Sequence, residues 1–388
     1  VKIALFTDTF PPQVNGVANT AYRYAAALSG MGHEVRVFTI SRHSSAELAE
    51  NFENFSIHTF PSLPAFVYPG ERVGIPFVGV IKAVREFNPD VIHTHTPFSV
   101  GWNAVYAART LGVPLVGTHH TFFNHYLKHI HLDFAWTRKL TWKLTVKYYN
   151  YCDVVVSPTL SLKDGLKEHG LTKPIELLPN ILDINFYSPS VKQPTQHQTL
   201  VYMGRLSYEK SVGDVLRATA HVVKRLPNTL LLLIGDGPER EKLEALSVEL
   251  GITEHCIFTG FLYGEELVYT LGQCDVYLTG SKSENMPLAL MEAMAIGLPI
   301  VAVRSLGLEE MLVHRKNALL TAPGDPVEIA DRVIEILQDE DLRRTFSENS
   351  RAMSYAYSQE AVMSKTVELY ERASEYAAKN RAMSAQEK

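Results

Sequence analysis

Cysteine is scarce in this chain. Cys152, Cys256 and Cys274 are the three in 388 residues, and no two form a C-x-x-C pair. That excludes a disulfide framework and fits a reducing compartment. No apolar run approaches the roughly 18 residues of a membrane-spanning helix, so any membrane contact is expected to be peripheral. The net charge of −5 argues against a general nucleic-acid binder, though not against a local basic patch. A G-x-G-x-x-G dinucleotide fingerprint is missing, as are internal repeats and low-complexity tracts. The first residues read as a strand, Lys2-Ile-Ala-Leu-Phe6, not as a charged region followed by an apolar core. No secretory leader is read there, and a cytoplasmic protein is expected.

What is present is an ordinary globular composition, 46% hydrophobic and 20% charged, on a chain long enough for two domains. Short apolar runs alternate with helical periodicity, which implies parallel sheets with crossover helices. In the first half, Ile3–Thr7, Glu34–Thr39, Val91–His93, Leu115–Thr118 and Val154–Ser157 read as strands. Val17–Met31, Phe77–Phe87 and Val100–Leu111 read as helices. The polar, Pro-containing stretch Ser188-Pro-Ser-Val-Lys-Gln-Pro-Thr-Gln-His-Gln198 has the composition of a linker. The alternation then restarts, from strand Leu200–Met203 to strand Pro299–Ala302. The expected fold is α/β, with two doubly wound Rossmann-like domains. The N-terminal domain takes residues 1–183, a linker 184–198 and the C-terminal domain 199–357. A terminal helix over 358–388 is too long for a simple cap and is expected to pack elsewhere. Ligands are expected at the carboxyl ends of the strands, in the cleft between the domains.

The most telling segment is Ser281-Lys-Ser-Glu-Asn-Met-Pro-Leu-Ala-Leu-Met-Glu292. Pro287 suits a first helical turn and Gly297 followed by Pro299 suits a stop. Glu284 then lies in the loop before the helix, and Glu292 about 7 Å along it. Between them point free backbone N–H groups and the positive end of the helix dipole, which suit a phosphate. An anion site between two hydroxyl-binding carboxylates describes a nucleotide-sugar pocket. The alternative is an ordinary helix with one exposed and one capping glutamate. Other features fall at predicted strand ends. Asn15-Gly16 offers a tight turn at a helix start. Gly204-Arg205 with Lys210 suits a diphosphate, the Arg as a fork and the Lys as a point charge. Gly235-Asp-Gly-Pro238 reads mainly as a turn, and the backbone at Gly260-Phe261-Leu262 could face a base.

In order and spacing, Gly16-Val17, Gly204-Arg205 with Lys210, Gly235-Asp-Gly-Pro238 and Glu284-x7-Glu292 resemble the retaining GT-B glycosyltransferases of the E-x7-E family. The resemblance covers essentially the whole chain. It implies a nucleoside-diphosphate-sugar donor and no required cofactor or metal; no D-x-D stands in a suitable strand-end loop. It implies that Arg205 and Lys210 neutralise the diphosphate, that Glu292 holds the ribose hydroxyls and that Glu284 holds those of the donor sugar. The backbone of Asn285, Met286, Pro287 and Leu288 would meet the diphosphate and sugar. Gly16 would approach the donor from the other domain, and the terminal helix would cross back onto the N-terminal domain. One departure is Pro179-Asn-Ile-Leu-Asp183, with Ile181 where the family usually has Gly, so no ligand role is carried onto it.

Of fifteen histidines, seven lie between His93 and His131. No Cys or carboxylate completes an evident zinc set with them. The family places a catalytically important His after the strand that here ends Gly117-Thr-His-His-Thr121. His120 aligns with it, hydrogen-bonding the transferring sugar or steadying charge near the anomeric carbon, and His119 stands where an aromatic is usual, which leaves a swap of roles open. His93 and His95 read as structural or supporting. Downstream, Lys139, Lys143 and Lys147 form one helical row and Trp136, Leu140 and Leu144 a neighbouring apolar one. A basic face beside an apolar one suits an anionic membrane surface; the alternative is a helix whose apolar row packs on its own sheet.

The wording of 93–101 and 118–126 is most similar to the branch that glycosylates diacylglycerol. The expected function is therefore transfer of a hexose, glucose favoured, from a UDP-sugar to a lipid acceptor such as 1,2-diacylglycerol. The enzyme would sit peripherally on the inner face of the cell membrane. Transfer to a soluble sugar, polyol or cell-wall precursor, or nucleotide-sugar epimerisation, are the alternatives.

Overall fold

The computed structural model describes residues 1–13, 15–41, 43–49, 52, 54–64, 72–120, 134–188, 192, 193 and 195–386. The chain divides into two compact units, Val1–Ile181 with Gln359–Lys388, and Leu182–Ser358.

Unit 1 runs β1 (Lys2–Phe6), α1 (Gly16–Gly30), β2 (Glu34–Ile40), α2 (Ser45–Ala49), β3 (Ser56–Phe60), β4 (Ser62–Pro64), β5 (Arg72–Gly74), α3 (Val80–Phe87), β6 (Val91–Thr94), α4 (Ser99–Leu111), β7 (Leu115–Thr118), α5 (Ala135–Tyr149), β8 (Val154–Ser157), α6 (Leu160–Glu168) and β9 (Ile175–Leu177). Its main sheet is parallel, in the order β3-β2-β1-β6-β7-β8-β9. Strand alternation divides the core into two layers. Ile3 and Leu5 pack with α1, while Ala4 and Phe6 pack with α3 and α4.

Unit 2 runs β10 (Gln198–Met203), α7 (Val212–Arg225), β11 (Thr229–Ile234), α8 (Arg240–Glu249), β12 (Cys256–Gly260), α9 (Gly264–Gly272), β13 (Val276–Thr279), α10 (Leu288–Ile296), β14 (Ile300–Val303), α11 (Leu306–Met311), β15 (Ala318–Thr321), α12 (Pro326–Gln338) and α13 (Glu340–Ser354). Its sheet is also parallel, ordered β12-β11-β10-β13-β14-β15. Both sheets are doubly wound. The first reverses direction between β1 and β6 and the second between β10 and β13, and the strand ends at such a switch are where ligands bind.

The last helix, α14 (Gln359–Gln386), belongs to unit 1. Val362, Met363, Leu369, Tyr370 and Ala373 enter the same buried layer as Ile3, Leu5, Val91 and Val116.

Three expectations need correction. The described residues of 184–198 are not a free linker: they fall in unit 2, where Tyr187 is buried in its core and Gln193 N–H donates to Gln273 Oε1 at 2.8 Å. The helix expected over 77–87 starts at Val80, because Phe77 (φ 66°) and Gly79 (φ 70°) both take left-handed backbone. Pro287 is the N-cap residue, with extended backbone (ψ 129°), not a residue of the first turn, while the helix expected between Glu284 and a stop at Gly297 (φ 89°) is found, as Leu288–Ile296. β3, β9 and β15 complete the sheets at positions not read as strands.

One glycine ties α4 to α5. A Cβ on Gly101 would lie 1.9 Å from Thr96 O and 2.7 Å from the Tyr148 hydroxyl. That hydroxyl already donates to Thr96 O (3.2 Å) and meets Thr94 Oγ1 (2.9 Å). Gly101→Ala should therefore cost about 3 kcal/mol, as overpacking of a tight interior does. Thermal or urea unfolding checks this; a wild-type midpoint would contradict it.

Candidate active site

The loops after β10, β11 and β12 are stitched at their first residues. Gly204 N–H donates to Ile234 O (2.9 Å) and Gly235 N–H to Gly260 O (2.8 Å). Leu206 N–H donates to Asp236 O (3.0 Å), and Glu239 N–H returns to Leu206 O (3.0 Å). Arg205 is thereby placed at the strand end, where it is exposed and makes no ion pair among the described residues. Two buried tyrosines support this turn from below: Tyr202 OH donates to Arg205 O (3.1 Å) and Tyr277 OH to Met203 O (3.4 Å). Burial, and then the nearby Glu284 and Glu292, push the Tyr277 phenol well above its ordinary range. Tyr202 is raised by burial, then by Tyr277 and Glu284, so both phenols remain protonated donors.

The short helical turn Tyr208–Lys210 follows, and Lys210 Nζ lies 2.5 Å from Glu284 Oε1. The expected diphosphate-binding lysine and the expected sugar-binding carboxylate thus touch. Glu284 sits in the loop before α10, whose first turn has no side-chain cap, leaving the amides of Leu288 and Ala289 available to an anion. Asn285, Pro287 and Leu288 are partly exposed around it, and Met286 is buried in the core. Glu292 lies along the helix, buried, with Oε1 accepting from Tyr187 OH at 2.8 Å. After β12, Phe261 and Tyr263 are exposed with rings 6.2 Å apart, and Leu262 packs against the core.

Two residues missed in the sequence hold this arrangement. Tyr187 is distant in sequence from Glu292, so no local spacing reveals it. Gly307 lies in α11, where a Cβ would be 2.1 Å from Asn285 O and 2.3 Å from Glu284 O. Only glycine lets α11 press against the loop that carries Glu284.

In unit 1, Asn15 caps α1: its Oδ1 accepts from Ala18 N–H (2.8 Å) and its amide donates to Thr9 Oγ1 (2.7 Å). Gly16 is exposed, with open space where a Cβ would be. Asp8, which sequence reasoning passed over, accepts from Thr96 Oγ1 (2.6 Å), Ser99 Oγ and Val100 N–H (2.8 Å) and so caps α4. Burial raises its pKa against the lowering pull of those hydrogen bonds.

The histidines after β6 and β7 form one group. His93 is engaged at both nitrogens, by Tyr370 OH (2.7 Å) and Thr118 Oγ1 (2.6 Å). His95 Nδ1 is 3.0 Å from His120 Nε2. His119 is buried, 5.0 Å from Tyr149 and 6.5 Å from Trp142 between ring centroids, whereas His120 is partly exposed. The geometry separates the two: His119 takes a core position and His120 the one at the surface. Burial lowers all four, His93 and His119 to about 3, His120 to about 4 and His95 well below 6.5.

α5 presents its apolar row outward. Trp136 is 65% exposed, Leu140 46% and Leu144 55%, while Thr137, Thr145, Val146, Tyr148 and Tyr149 face the core. This corrects the alternative in which that row packs on the sheet. Lys139, Lys143 and Lys147, with Arg109 from α4, line an open depression of about 640 Å³. Its floor includes Trp142, stacked on His169 at 4.1 Å, and Tyr151, over which Arg109 lies at 4.5 Å. Residues 121–133, which precede this helix, lie outside the described residues.

Two family profiles match the chain: Glycosyltransferase Family 4 over residues 14–186 and Glycosyl transferases group 1 over 183–353. Among curated relatives, an alpha-monoglucosyldiacylglycerol synthase of Streptococcus pneumoniae is 28% identical over 78% of this chain and 71% of its own. A GDP-mannose-dependent alpha-mannosyltransferase of Corynebacterium glutamicum is 27% identical over 88% and 81%. A sulfoquinovosyl transferase of Arabidopsis thaliana is 27% identical over 94% and 72%. The fold is similar to that of Anabaena HepE, crystallised with UDP, at TM-score 0.78 and 20% identity over 95% of this chain and 99% of that one. The chain belongs to the group 1 glycosyltransferases of the GT-B fold. It is a hexosyltransferase, and retention at the anomeric carbon fits that group as a whole.

The histidine group makes stability depend on pH. Each imidazole titrates lower in the folded chain than its ordinary 6.5, so the unfolded chain binds more protons below that value. Stability should be fully present above about 6.5 and fall as pH drops toward the folded values, by up to about 1.4 kcal/mol per pH unit for each group. Urea unfolding from about pH 7 to about pH 5 should show a loss steeper than one proton. A flat profile would refute the neutral cluster.

Proposed function

We propose that the chain transfers a hexose, with glucose favoured, from a UDP-sugar to a lipid hydroxyl such as that of 1,2-diacylglycerol. The observation that carries the donor half is Lys210 paired with Glu284 in the loop before α10, a helix with no side-chain cap that carries Glu292, and Arg205 at the end of the adjacent strand β10. In this reading Arg205, Lys210 and the first-turn amides take the diphosphate, Glu292 the ribose hydroxyls and Glu284 those of the sugar. Phe261 and Leu262 lie at the base, and Gly16 leaves room for close approach. The anomeric carbon–phosphate oxygen bond breaks while the acceptor oxygen bonds to the same face of that carbon. The departing phosphate takes the acceptor proton, and its growing charge is met by fixed donors. His120 hydrogen-bonds the transferring sugar. Asp8, committed to capping α4, is not a nucleophile here.

The diacylglycerol-glucosylating relative supports the lipid acceptor, and solved structures with UDP support the donor base. A mannosyltransferase among the relatives keeps other sugars, and soluble acceptors, as outcomes of the test. The outward row Trp136, Leu140 and Leu144 beside Lys139, Lys143 and Lys147 supports peripheral binding to an anionic membrane at its cytoplasmic face. Among the described residues no helix is long and apolar enough to cross a membrane.

Nucleotide sugars offered with diacylglycerol-containing vesicles, with products identified by mass spectrometry, test the substrates. Glucosylated lipid is expected from UDP-glucose; transfer only to a soluble acceptor would overturn the lipid reading. Arg205→Ala and Lys210→Ala should each lower kcat by on the order of 100-fold with little change in thermal midpoint. Unchanged turnover in both would remove the diphosphate assignment.

In co-sedimentation, the chain should pellet with anionic vesicles at low salt, and replacing Lys139, Lys143 and Lys147 by Glu should release it. Wild-type protein left in the supernatant would end the membrane proposal.

A further inference from the structure

β6 and β7 are adjacent parallel strands, with Thr94 opposite Gly117, so the residues that follow them emerge side by side. His95 follows the first and His120 the second. His95 is buried, and its backbone N–H is fixed to Phe6 O at 2.8 Å. Its ring is enclosed by Tyr24, edge-on at 5.2 Å, and by the His93 ring at 4.3 Å. His93 cannot turn away, because Tyr370 and Thr118 hold both of its nitrogens. Among the described residues the His95 ring makes its polar contact from Nδ1 to His120 Nε2, with the two rings near parallel at 13°. The other nitrogen, Nε2, is buried with no hydrogen-bond partner among the described residues.

Both rings are neutral at neutral pH, since burial lowers each. Two neutral imidazoles facing one another share one proton in their contact, so one donates and the other accepts. A proton on His95 Nε2 would be a buried donor without an acceptor, which folded proteins avoid. On Nδ1 the same proton has an acceptor at 3.0 Å.

We propose that His95 is a positioning residue for His120: its Nδ1–H donates to His120 Nε2, sets the ring's orientation and keeps the proton of His120 on Nδ1. His120 then carries an N–H at Nδ1 rather than a lone pair. That suits a group that donates to an oxygen of the transferring sugar, and it does not suit a general base. The inference rests on the place given to His120 in the proposed function.

The test uses the full chain with ¹⁵N-labelled histidine. Long-range ¹H–¹⁵N correlation spectra report the tautomer, and the His120 signals are identified by their loss in His120→Asn. The Nδ1–H form is expected. His95→Asn puts an amide donor close to where Nδ1–H sits, and His95→Leu removes it. His95→Leu should lose about tenfold or more in kcat with donor KM changed less than about threefold, and should show mixed tautomers at His120. His95→Asn should recover most of the turnover. An Nε2–H form of His120 in the wild-type chain, full turnover in His95→Leu, or equal loss in both variants would overturn the proposal. If His95→Leu does not fold, the wild-type tautomer and the turnover of His95→Asn still decide. Full turnover in His120→Asn would instead overturn the role given to His120, and the positioning role with it.

Discussion

A parallel strand can be followed by another only after the chain has crossed back, so every strand of such a sheet ends at the same edge. In both units this constraint collects loops from distant parts of the chain. In unit 2 the ends of β12, β11, β10 and β13 stand in a row, and the first residues of the loops after β10, β11 and β12 are joined by backbone hydrogen bonds. Lys210 and Glu284 then come from two different loops yet reach hydrogen-bonding range, with Arg205 at the start of the first of those loops. The same logic in unit 1 brings Asp8, His95 and His120 together from the ends of β1, β6 and β7.

The two sets of strand ends carry opposite electrostatics. In unit 2 the strand ends carry the charged side chains Arg205, Lys210 and Glu284, and burial, then charged neighbours, raise the phenols of Tyr202 and Tyr277 beneath them. In unit 1 four clustered histidines are kept neutral by burial, with Tyr370 of the terminal helix and Thr118 satisfying His93. The first arrangement is suited to stabilising a diphosphate that gains charge as it leaves. The second offers uncharged hydrogen bonds, which can orient a sugar without competing for that charge.

What the sequence made legible follows from how local each signal is. The E-x7-E segment could be read because its loop, its capping proline, its helix and its terminal glycine are contiguous. The central strands could be read because they are buried on both faces and apolar throughout. β9, with three residues, and β3, with Ser and His on alternating positions, carry too little of that signal. Tyr187 and Gly307 were invisible for another reason: each acts on a residue it meets only in the folded chain. The segment 184–198 has a linker's composition, yet a buried tyrosine and its bond to Glu292 outweigh that composition and dock its start on unit 2.

α5 shows where periodicity alone is ambiguous. Two rows of residues, one apolar and one basic, can be generated by a helix that buries the apolar row or by one that exposes it. Here the helix docks through Thr137, Thr145, Val146, Tyr148 and Tyr149, whose hydroxyls and rings fit the polar strand ends beneath, as the Tyr148 contact with Thr94 illustrates. Once that side is inward, Trp136, Leu140 and Leu144 have no choice but to face out. Large apolar side chains exposed in a row are disfavoured in water unless something covers them. The basic row that runs alongside, joined by Arg109 from a different helix, suits the proposed covering surface, one that is apolar and negatively charged at once. A bilayer with anionic headgroups has both properties, and a lipid acceptor would be found there.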